Sequence, residues 1–185
     1  MLQIAQQDVP WEHEVLFSEK AFEKAEASGF TYEKLFAQYL QGFTEITLKE
    51  PYLEHDYQFE NLQEFLDLLV KIKKPDTKPS LELVTLRLRW NRHEQQDRLS
   101  PEECRKNLNT IETRYGERIS FLVTAKERME LHDREIIANT GWKIKLGRGL
   151  HIWIEPKYDV RKQNQADRPC YGGFSIIYYK PKGNA

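Results

Sequence analysis

The sequence predicts an α/β fold, in which one domain has a mixed central sheet flanked by helices. Patterns typical of helices and of strands alternate along most of the 185 residues, and the last third is rich in strand patterns. Strands separated by helices favour a parallel or mixed sheet with helices against its faces. No internal repeat or linker divides the chain, and its length is that of one domain.

The chain begins with a polar lead-in of residues 1–28, and the domain itself is expected over residues 29–185. A helix is predicted within the lead-in at residues 18–27, and Gly29 is placed to end it. The lead-in lacks the basic start and apolar run of a secretory signal, so we do not expect secretion.

Three helices are predicted in the domain, because apolar residues recur there at helical spacing. Thr31 is placed to cap the first helix. The third begins at Ser100, which is followed by a proline and two acids, a strong start signal. The predicted helices are Tyr32–Leu40, Phe59–Lys71 within a longer pattern over residues 56–73, and Glu102–Tyr115.

Six strands are predicted from alternating apolar residues and from β-branched content. Three of them should form the centre of the sheet, and Pro51 ends the first because proline cannot continue a ladder. The central strands are Thr44–Lys49, Leu81–Arg87 and Ser120–Thr124, and the later strands are Glu135–Ala138, Trp142–Leu146 and Gly173–Tyr179.

Composition argues against several classes of protein. No apolar run approaches the ~20 residues that cross a bilayer as a helix. Cys104 and Cys170 are far apart and neither forms a CxxC pair, which argues against a zinc site and for a reducing compartment. The Walker A, GxGxxG, HExxH and GxSxG patterns are absent. We therefore expect a cytoplasmic protein with no cofactor and no metal.

Positive charge is concentrated near the end of the chain. Residues 132–185 contain ten Lys or Arg and five Asp or Glu, although the whole chain has a net charge of −1. A basic end on a near-neutral chain predicts an anionic partner. A dedicated nucleic-acid binder would be more basic overall. However, residues 87–93 interleave cations with Trp90, as single-strand binders do, so nucleic acid stays open as a partner.

His132 and Arg134 are the residues best suited to chemistry at phosphorus. Side chains two apart on a strand share a face, so this pair at a strand start brings an imidazole beside a guanidinium. The imidazole could attack phosphorus while the guanidinium binds two phosphate oxygens. Asn139 follows at a spacing where it could join the same network. His132, Arg134 and Asn139 are therefore the catalytic candidates.

The pair belongs to a longer pattern that resembles a known family. His132-x-Arg134-x4-Asn139 is similar to the phospholipase D signature His-x-Lys-x4-Asp, with Arg in place of Lys and Asn in place of Asp. Other stretches resemble the phospholipase-D-like C-terminal domain of MIT (microtubule-interacting and transport) proteins, in a stand-alone form that we expect to be prokaryotic. Those stretches are GFTYEKLF from Gly29, EPYL from Glu50, HDREI from His132 and GWKIKLGRGL from Gly141.

The resemblance implies one phospholipase-D-like domain that self-associates and binds acidic lipid without hydrolysing it, at the membrane periphery. We expect no helical MIT module ahead of the domain, so a helical or ATPase module would come from a partner protein. Hydrolases of this class use two His-x-Lys motifs, whereas this chain has one altered motif. A homodimer could bring two copies of His132 together, so a dimeric phosphodiesterase or nuclease is the alternative.

The ligand site is expected at the basic end of the chain. Lys143 and Lys145 share one face of their strand by alternation. Arg148 lies between two glycines, which allow close approach of the backbone to a ligand. The residues that we expect to line one basic, phosphate-binding concavity are His132, Arg134, Lys143, Lys145 and Arg148.

Overall fold

A computed structural model describes residues 13–14, 19–22, 28–86, 98–127, 130–154 and 164–181. The helices of this part of the chain are Tyr32–Leu40 (α1), Asp56–Ile72 (α2) and Pro101–Tyr115 (α3), with a short 3₁₀ helix at Gln165–Asp167. The strands are His13–Glu14 (β1), Glu19–Phe22 (β2), Glu45–Lys49 (β3), Ser80–Leu86 (β4), Ser120–Lys126 (β5), Glu135–Ala138 (β6), Lys143–Leu146 (β7) and Phe174–Pro181 (β8).

Local capping explains where two of the helices begin. At α1, Thr31 Oγ1 accepts a hydrogen bond from the Lys34 N–H (3.1 Å). At α3, Ser100 Oγ accepts from the Glu103 N–H (3.2 Å), and Glu103 Oε2 accepts from the Ser100 N–H (2.8 Å). This reciprocal capping box satisfies two N–H groups that the helix leaves without partners. The helix predicted over Tyr32–Leu40 is confirmed at both ends.

The sheet is mixed, as the sequence predicts. Its strand order is β1-β8-β7-β6-β3-β4-β5, and β2 also pairs with β8. The neighbours β3, β4 and β5 are parallel and are connected through α2 and α3, whereas β6, β7 and β8 pair antiparallel. This arrangement confirms the α/β fold class. Because β3 and β6 are antiparallel neighbours, with Lys49 opposite Glu135, the end of β3 lies beside the start of β6.

One face of the sheet carries the hydrophobic core. Alternate residues of the central strands, such as Leu48, Leu83 and Ile136, are fully buried in one cluster with side chains from α1, α2 and α3. The three described helices therefore pack on one face of the sheet rather than on both. On the other face, Leu122 of β5 is 61 % exposed, and charged side chains occupy the central strands. We call this second surface the open face.

The helix predicted over residues 18–27 is wrong at residues 19–22, the part of it that the structure describes. Glu19–Phe22 is a strand that pairs antiparallel with β8, with Phe22 opposite Phe174. Pairing with a sheet edge satisfies the backbone hydrogen bonds of both strands and outweighs a weak helical pattern. The lead-in therefore contributes strands to the sheet.

Candidate functional site

A cavity of about 310 Å³ opens where three parts of the chain meet: the segment after β3, the first turns of α2 and the turn after β7. They meet because the end of β3 lies beside the start of β6, and because β7 pairs with β6. We call this cavity the arginine pocket, and its lining includes Glu50, Tyr52, Asn61, Arg134, Arg148 and His151.

Glu50 is the buried carboxylate of the arginine pocket, with only 5 % of the residue exposed. Its Oε2 accepts a hydrogen bond from the Leu150 N–H (2.9 Å). A Cβ at Gly149, which has a φ of +67°, would overlap the Glu50 carboxylate. Only glycine combines this backbone conformation with such a close approach. The turn after β7 is thus fixed against the end of β3.

Burial raises the pKa of Glu50 to about 7, although the hydrogen bond from Leu150 and the charge of Arg134 act in the opposite direction. Desolvation penalises the ionised form of a buried carboxyl more than the neutral form. Near neutral pH, Glu50 is therefore present both as an acid and as a carboxylate.

Arg134 approaches the pocket from the start of β6. Its Nε lies 4.0 Å from Glu50 Oε1, and its Nη1 donates a hydrogen bond to the carbonyl oxygen of Gly147 (3.1 Å). Its guanidinium carbon lies 5.0 Å from the centre of the Tyr52 ring. The long separation from Glu50 leaves guanidinium N–H groups of Arg134 available to a second anion.

Arg148 lies in the turn after β7, and its positive charge is less well compensated by carboxylates of the described residues than that of Arg134. Its guanidinium carbon lies 3.8 Å from the centre of the Tyr171 ring, and its buried Nε has no hydrogen-bond partner. Within the described ranges it forms no ion pair. A third pocket arginine, Arg98, differs in this respect because its Nη1 lies 3.1 Å from Glu54 Oε2. Among the described residues, Arg148 is therefore the pocket arginine without a carboxylate partner.

The first turns of α2 form one wall of the arginine pocket. Gln58 Oε1 accepts hydrogen bonds from the N–H groups of Glu54 (2.6 Å) and His55 (3.0 Å). Asn61 lies three residues later, on the same side of the helix. The residue is 5 % exposed and lines the cavity.

Aromatic rings connect this wall to the arginines. The rings of His55 and Tyr57 are stacked at 5.3 Å, Tyr57 and His151 lie 4.4 Å apart, and His151 meets Tyr171 edge to face at 5.1 Å. Such ring contacts fix the side chains that take part in them. These ring contacts therefore run from the α2 wall of the pocket to Arg148, which lies over Tyr171.

The five residues expected to share one basic concavity divide into separate groups. Arg134 and Arg148 line the arginine pocket, whereas Lys143 and Lys145 lie on the open face. Lys143 Nζ is 2.7 Å from Glu135 Oε1, and Lys145 Nζ is 3.6 Å from an Asp133 oxygen.

Strand alternation explains this division. Ile144 and Leu146 point into the core, so Lys143 and Lys145 must point away from it. On the open face, Lys49 also lies 3.1 Å from Glu135. The single concavity predicted from the sequence is therefore corrected to a pocket with two of its five residues.

His132 and Asn139 are not brought into the arginine pocket. β6 begins only at Glu135, so His132 precedes the strand, and its side chain is exposed. Asn139 follows the other end of β6. There its Oδ1 accepts from the Thr44 and Glu45 N–H groups (3.0 and 3.2 Å). Four strand residues separate Asn139 from Arg134, so the expected network between them does not form.

Several pocket residues were missed from sequence alone. Glu50 and Gly149 fell within stretches that carry the family resemblance, but nothing in the sequence shows that they touch. His55, Asn61 and His151 had no pattern that marked them, since their positions depend on how α2 packs beside the turn after β7. The basic segment at residues 87–93 lies outside the described residues.

The described ranges contain no group of three or more His, Cys, Asp and Glu side chains that could hold a metal ion. None of their helices has both the length and the apolar character needed to cross a bilayer.

Comparison with known proteins defines the class of the domain. The model of the family described as "Phospholipase D-like domain at C-terminus of MIT" matches residues 29–180. MIT domain-containing protein 1 of Mus musculus is 32 % identical over 148 residues, which are 78 % of this chain and 55 % of that protein. The chain thus spans about half the length of this curated relative. Its fold is that of a phospholipase-D-like α/β domain.

Within that class the chain belongs to the family of phospholipase-D-like domains found at the C-terminus of MIT proteins. The resemblance stated from GFTYEKLF, EPYL, HDREI and GWKIKLGRGL is confirmed.

Proposed function

We propose that this domain is a non-catalytic module that binds acidic membrane lipid through a phosphate held in the arginine pocket. The observation that carries the proposal is Arg148, a partly buried arginine that has no carboxylate partner in the described part of the chain. Desolvated cations without a counter-ion are costly, and a ligand phosphate would remove that cost.

The charges around Arg148 support a phosphate rather than a neutral ligand. Arg134 lies in the same pocket and is only weakly paired, at 4.0 Å, with the Glu50 carboxylate. Because the pKa of Glu50 is raised to about 7, its negative charge competes only partly with a bound anion. Guanidinium groups bind phosphate oxygens in pairs, which suits both arginines.

The altered motif supports binding without hydrolysis. Arginine in place of lysine changes the shape of the phosphate contact, and Asn139 supplies no carboxylate to orient His132. Asn139 instead connects the end of β6 to Thr44 and Glu45. His132 does not line the pocket that holds Arg134 and Arg148.

Vesicle co-sedimentation tests the proposal. Wild-type protein is expected to pellet with vesicles of phosphatidylcholine and phosphatidylserine, but not with phosphatidylcholine alone. Arg148→Gln should abolish pelleting with the acidic vesicles. Lys145→Gln removes the same charge from the open face and should pellet like wild type. Equal loss in both variants would show a diffuse charge effect and would refute the pocket as the lipid site.

We also propose that the domain forms a homodimer, because phospholipase-D-like halves work in pairs and a second copy of this chain can supply the other half. Sedimentation velocity at high micromolar concentration should then give the mass of two chains. A monomer at that concentration would contradict the dimer. It would also remove the model of a phosphodiesterase with one His132 from each chain.

A further inference from the structure

We propose that the arginine pocket is specific for phosphate esters whose organic part carries hydroxyl groups, and that Asn61 recognises those hydroxyls. This inference rests on the proposed function, because it assumes that Arg134 and Arg148 hold the phosphate. It adds a residue that determines specificity, on the α2 wall of the pocket.

The size of the pocket leaves room for more than a bare phosphate. Its volume of about 310 Å³ is roughly ten times the ~30 Å³ that one water molecule occupies. A phosphate held by the two arginines would leave most of that space unfilled. Pockets of this size bind organic molecules whose polar groups match a few placed side chains.

The buried state of Asn61 indicates what fills the remaining space. Its carboxamide has two donors and an acceptor with two lone pairs, and the residue is 5 % exposed in the wall of the cavity. A ligand that enters the cavity displaces water from this carboxamide and must replace the hydrogen bonds of that water, because desolvation without a hydrogen bond is unfavourable. Asn61 also lines the cavity. A ligand that fills the cavity is therefore its available partner.

The chemistry of the walls favours hydroxyl groups in particular. A hydroxyl both donates and accepts, so it matches a carboxamide in either orientation. The neighbouring wall includes Tyr57, with the His55 ring stacked on one side and the His151 ring tilted against it. The C–H groups of a polyol can pack against such rings while its hydroxyls reach Asn61.

Isothermal titration with three soluble probes tests this selectivity: inorganic phosphate, methyl phosphate and glycerol 1-phosphate. The full chain should bind glycerol 1-phosphate about tenfold more tightly than methyl phosphate, the value of one well-placed hydrogen bond. Asn61→Leu, which keeps the branched shape but replaces the polar atoms with larger methyl groups, should remove this preference and leave the affinity for inorganic phosphate within about twofold. Asn109→Leu, on the exposed side of α3, is the matched control and should behave like wild type.

Thermal unfolding separates recognition from a structural role of Asn61. Leucine at this buried position in the cavity wall should leave the melting temperature unchanged or raise it. A lower melting temperature together with equal weakening of all three probes would show that Asn61 supports the fold, and the proposal would be wrong. Asn61→Asp keeps the shape, adds a negative charge and should weaken all three probes.

The remaining outcomes are distinct. If anions bind in an Arg148-dependent manner but wild type does not distinguish the esters, the selectivity is refuted and the proposed function stands. If no anion binding depends on Arg148, both fail.

A parallel arm compares vesicles that contain phosphatidylglycerol with vesicles that contain phosphatidic acid. Preference for phosphatidylglycerol identifies a lipid headgroup, whereas selectivity among the soluble probes alone identifies a free ester and refutes lipid.

Discussion

The arginine pocket and the open face draw their cations from the same stretch of sequence, and they differ in how those cations are compensated. On the open face, Lys143 and Lys49 share the buried Glu135 carboxylate at 2.7 and 3.1 Å. In the pocket, Arg134 lies 4.0 Å from Glu50, whose pKa of about 7 leaves it partly neutral. A count of basic residues therefore overstates the capacity of the open face to bind an anion. The cations that can bind a ligand are those whose carboxylates are absent, distant or protonated.

Removal of cations should affect the two surfaces very differently, and this is the largest effect we expect. The double variant with Arg134→Ala and Arg148→Ala should lose about a hundredfold or more in affinity for glycerol 1-phosphate, because charge-assisted hydrogen bonds contribute about 1.5–3 kcal/mol each. The matched pair Lys143→Ala and Lys145→Ala should change the affinity by about twofold at most. Titration calorimetry measures both. A larger loss in the lysine pair would reverse the comparison.

Replacement of Gly149, which lies against Glu50, should have the next largest effect, and that effect is on the free energy of unfolding. Gly149→Ala places a Cβ against the Glu50 carboxylate and also imposes a positive φ of 67° on alanine. The strain alone costs about 1–2 kcal/mol. Gly173→Ala is the matched control, since Gly173 has a similar φ of 74° but open space around it.

Chemical denaturation should show a clearly larger loss of unfolding free energy for Gly149→Ala than for Gly173→Ala. Equal losses in the two variants would mean that the carboxylate moves aside without cost. In that case Glu50 would not fix the turn that carries Arg148.

Glu50 should make both stability and anion affinity depend on pH. Its pKa is raised to about 7 in the folded protein from an ordinary value of 4.5. Between these two values the folded state holds more protons than the unfolded state, so the unfolding free energy falls as pH rises. The difference across the window is on the order of 3 kcal/mol. Glu50→Gln should have a flatter stability profile over this range.

Sulfate affinity gives an independent measure of the same titration, because sulfate keeps its charge across the window. Wild type should bind sulfate more tightly as pH falls through about 7, when the Glu50 negative charge is lost. His55 and His151 also line the pocket and are unchanged in Glu50→Gln, so the difference between wild type and variant isolates Glu50. Identical pH profiles would show that Glu50 does not control the pocket.

These comparisons also indicate how far the sequence alone predicts the molecule. The helices and central strands followed from apolar periodicity and capping, which are local. The family followed from residue patterns. The pocket did not, because Glu50 and Leu150 meet across one hundred residues and Asn61 joins them only after α2 packs. The alternation of side chains along a strand correctly predicted that Lys143 and Lys145 share one face of the sheet. It could not predict that Arg134 lies elsewhere, in the arginine pocket.

His132→Ala should have the smallest effect of all. The side chain is exposed before β6 and lies outside the lining of the arginine pocket, so its removal should change the affinity for glycerol 1-phosphate by less than about twofold. Asn139→Ala should likewise leave affinity unchanged, while it lowers stability by about 1–2 kcal/mol through lost hydrogen bonds to Thr44 and Glu45.

A chromogenic phosphodiester tests whether His132 takes part in catalysis. If wild type hydrolyses it without added metal, and His132→Ala abolishes turnover but not binding, then His132 is a nucleophile and the domain is an enzyme. Absence of turnover together with unchanged binding in His132→Ala would leave Arg134 as the half of the HxR pair that functions, because only Arg134 reaches the pocket.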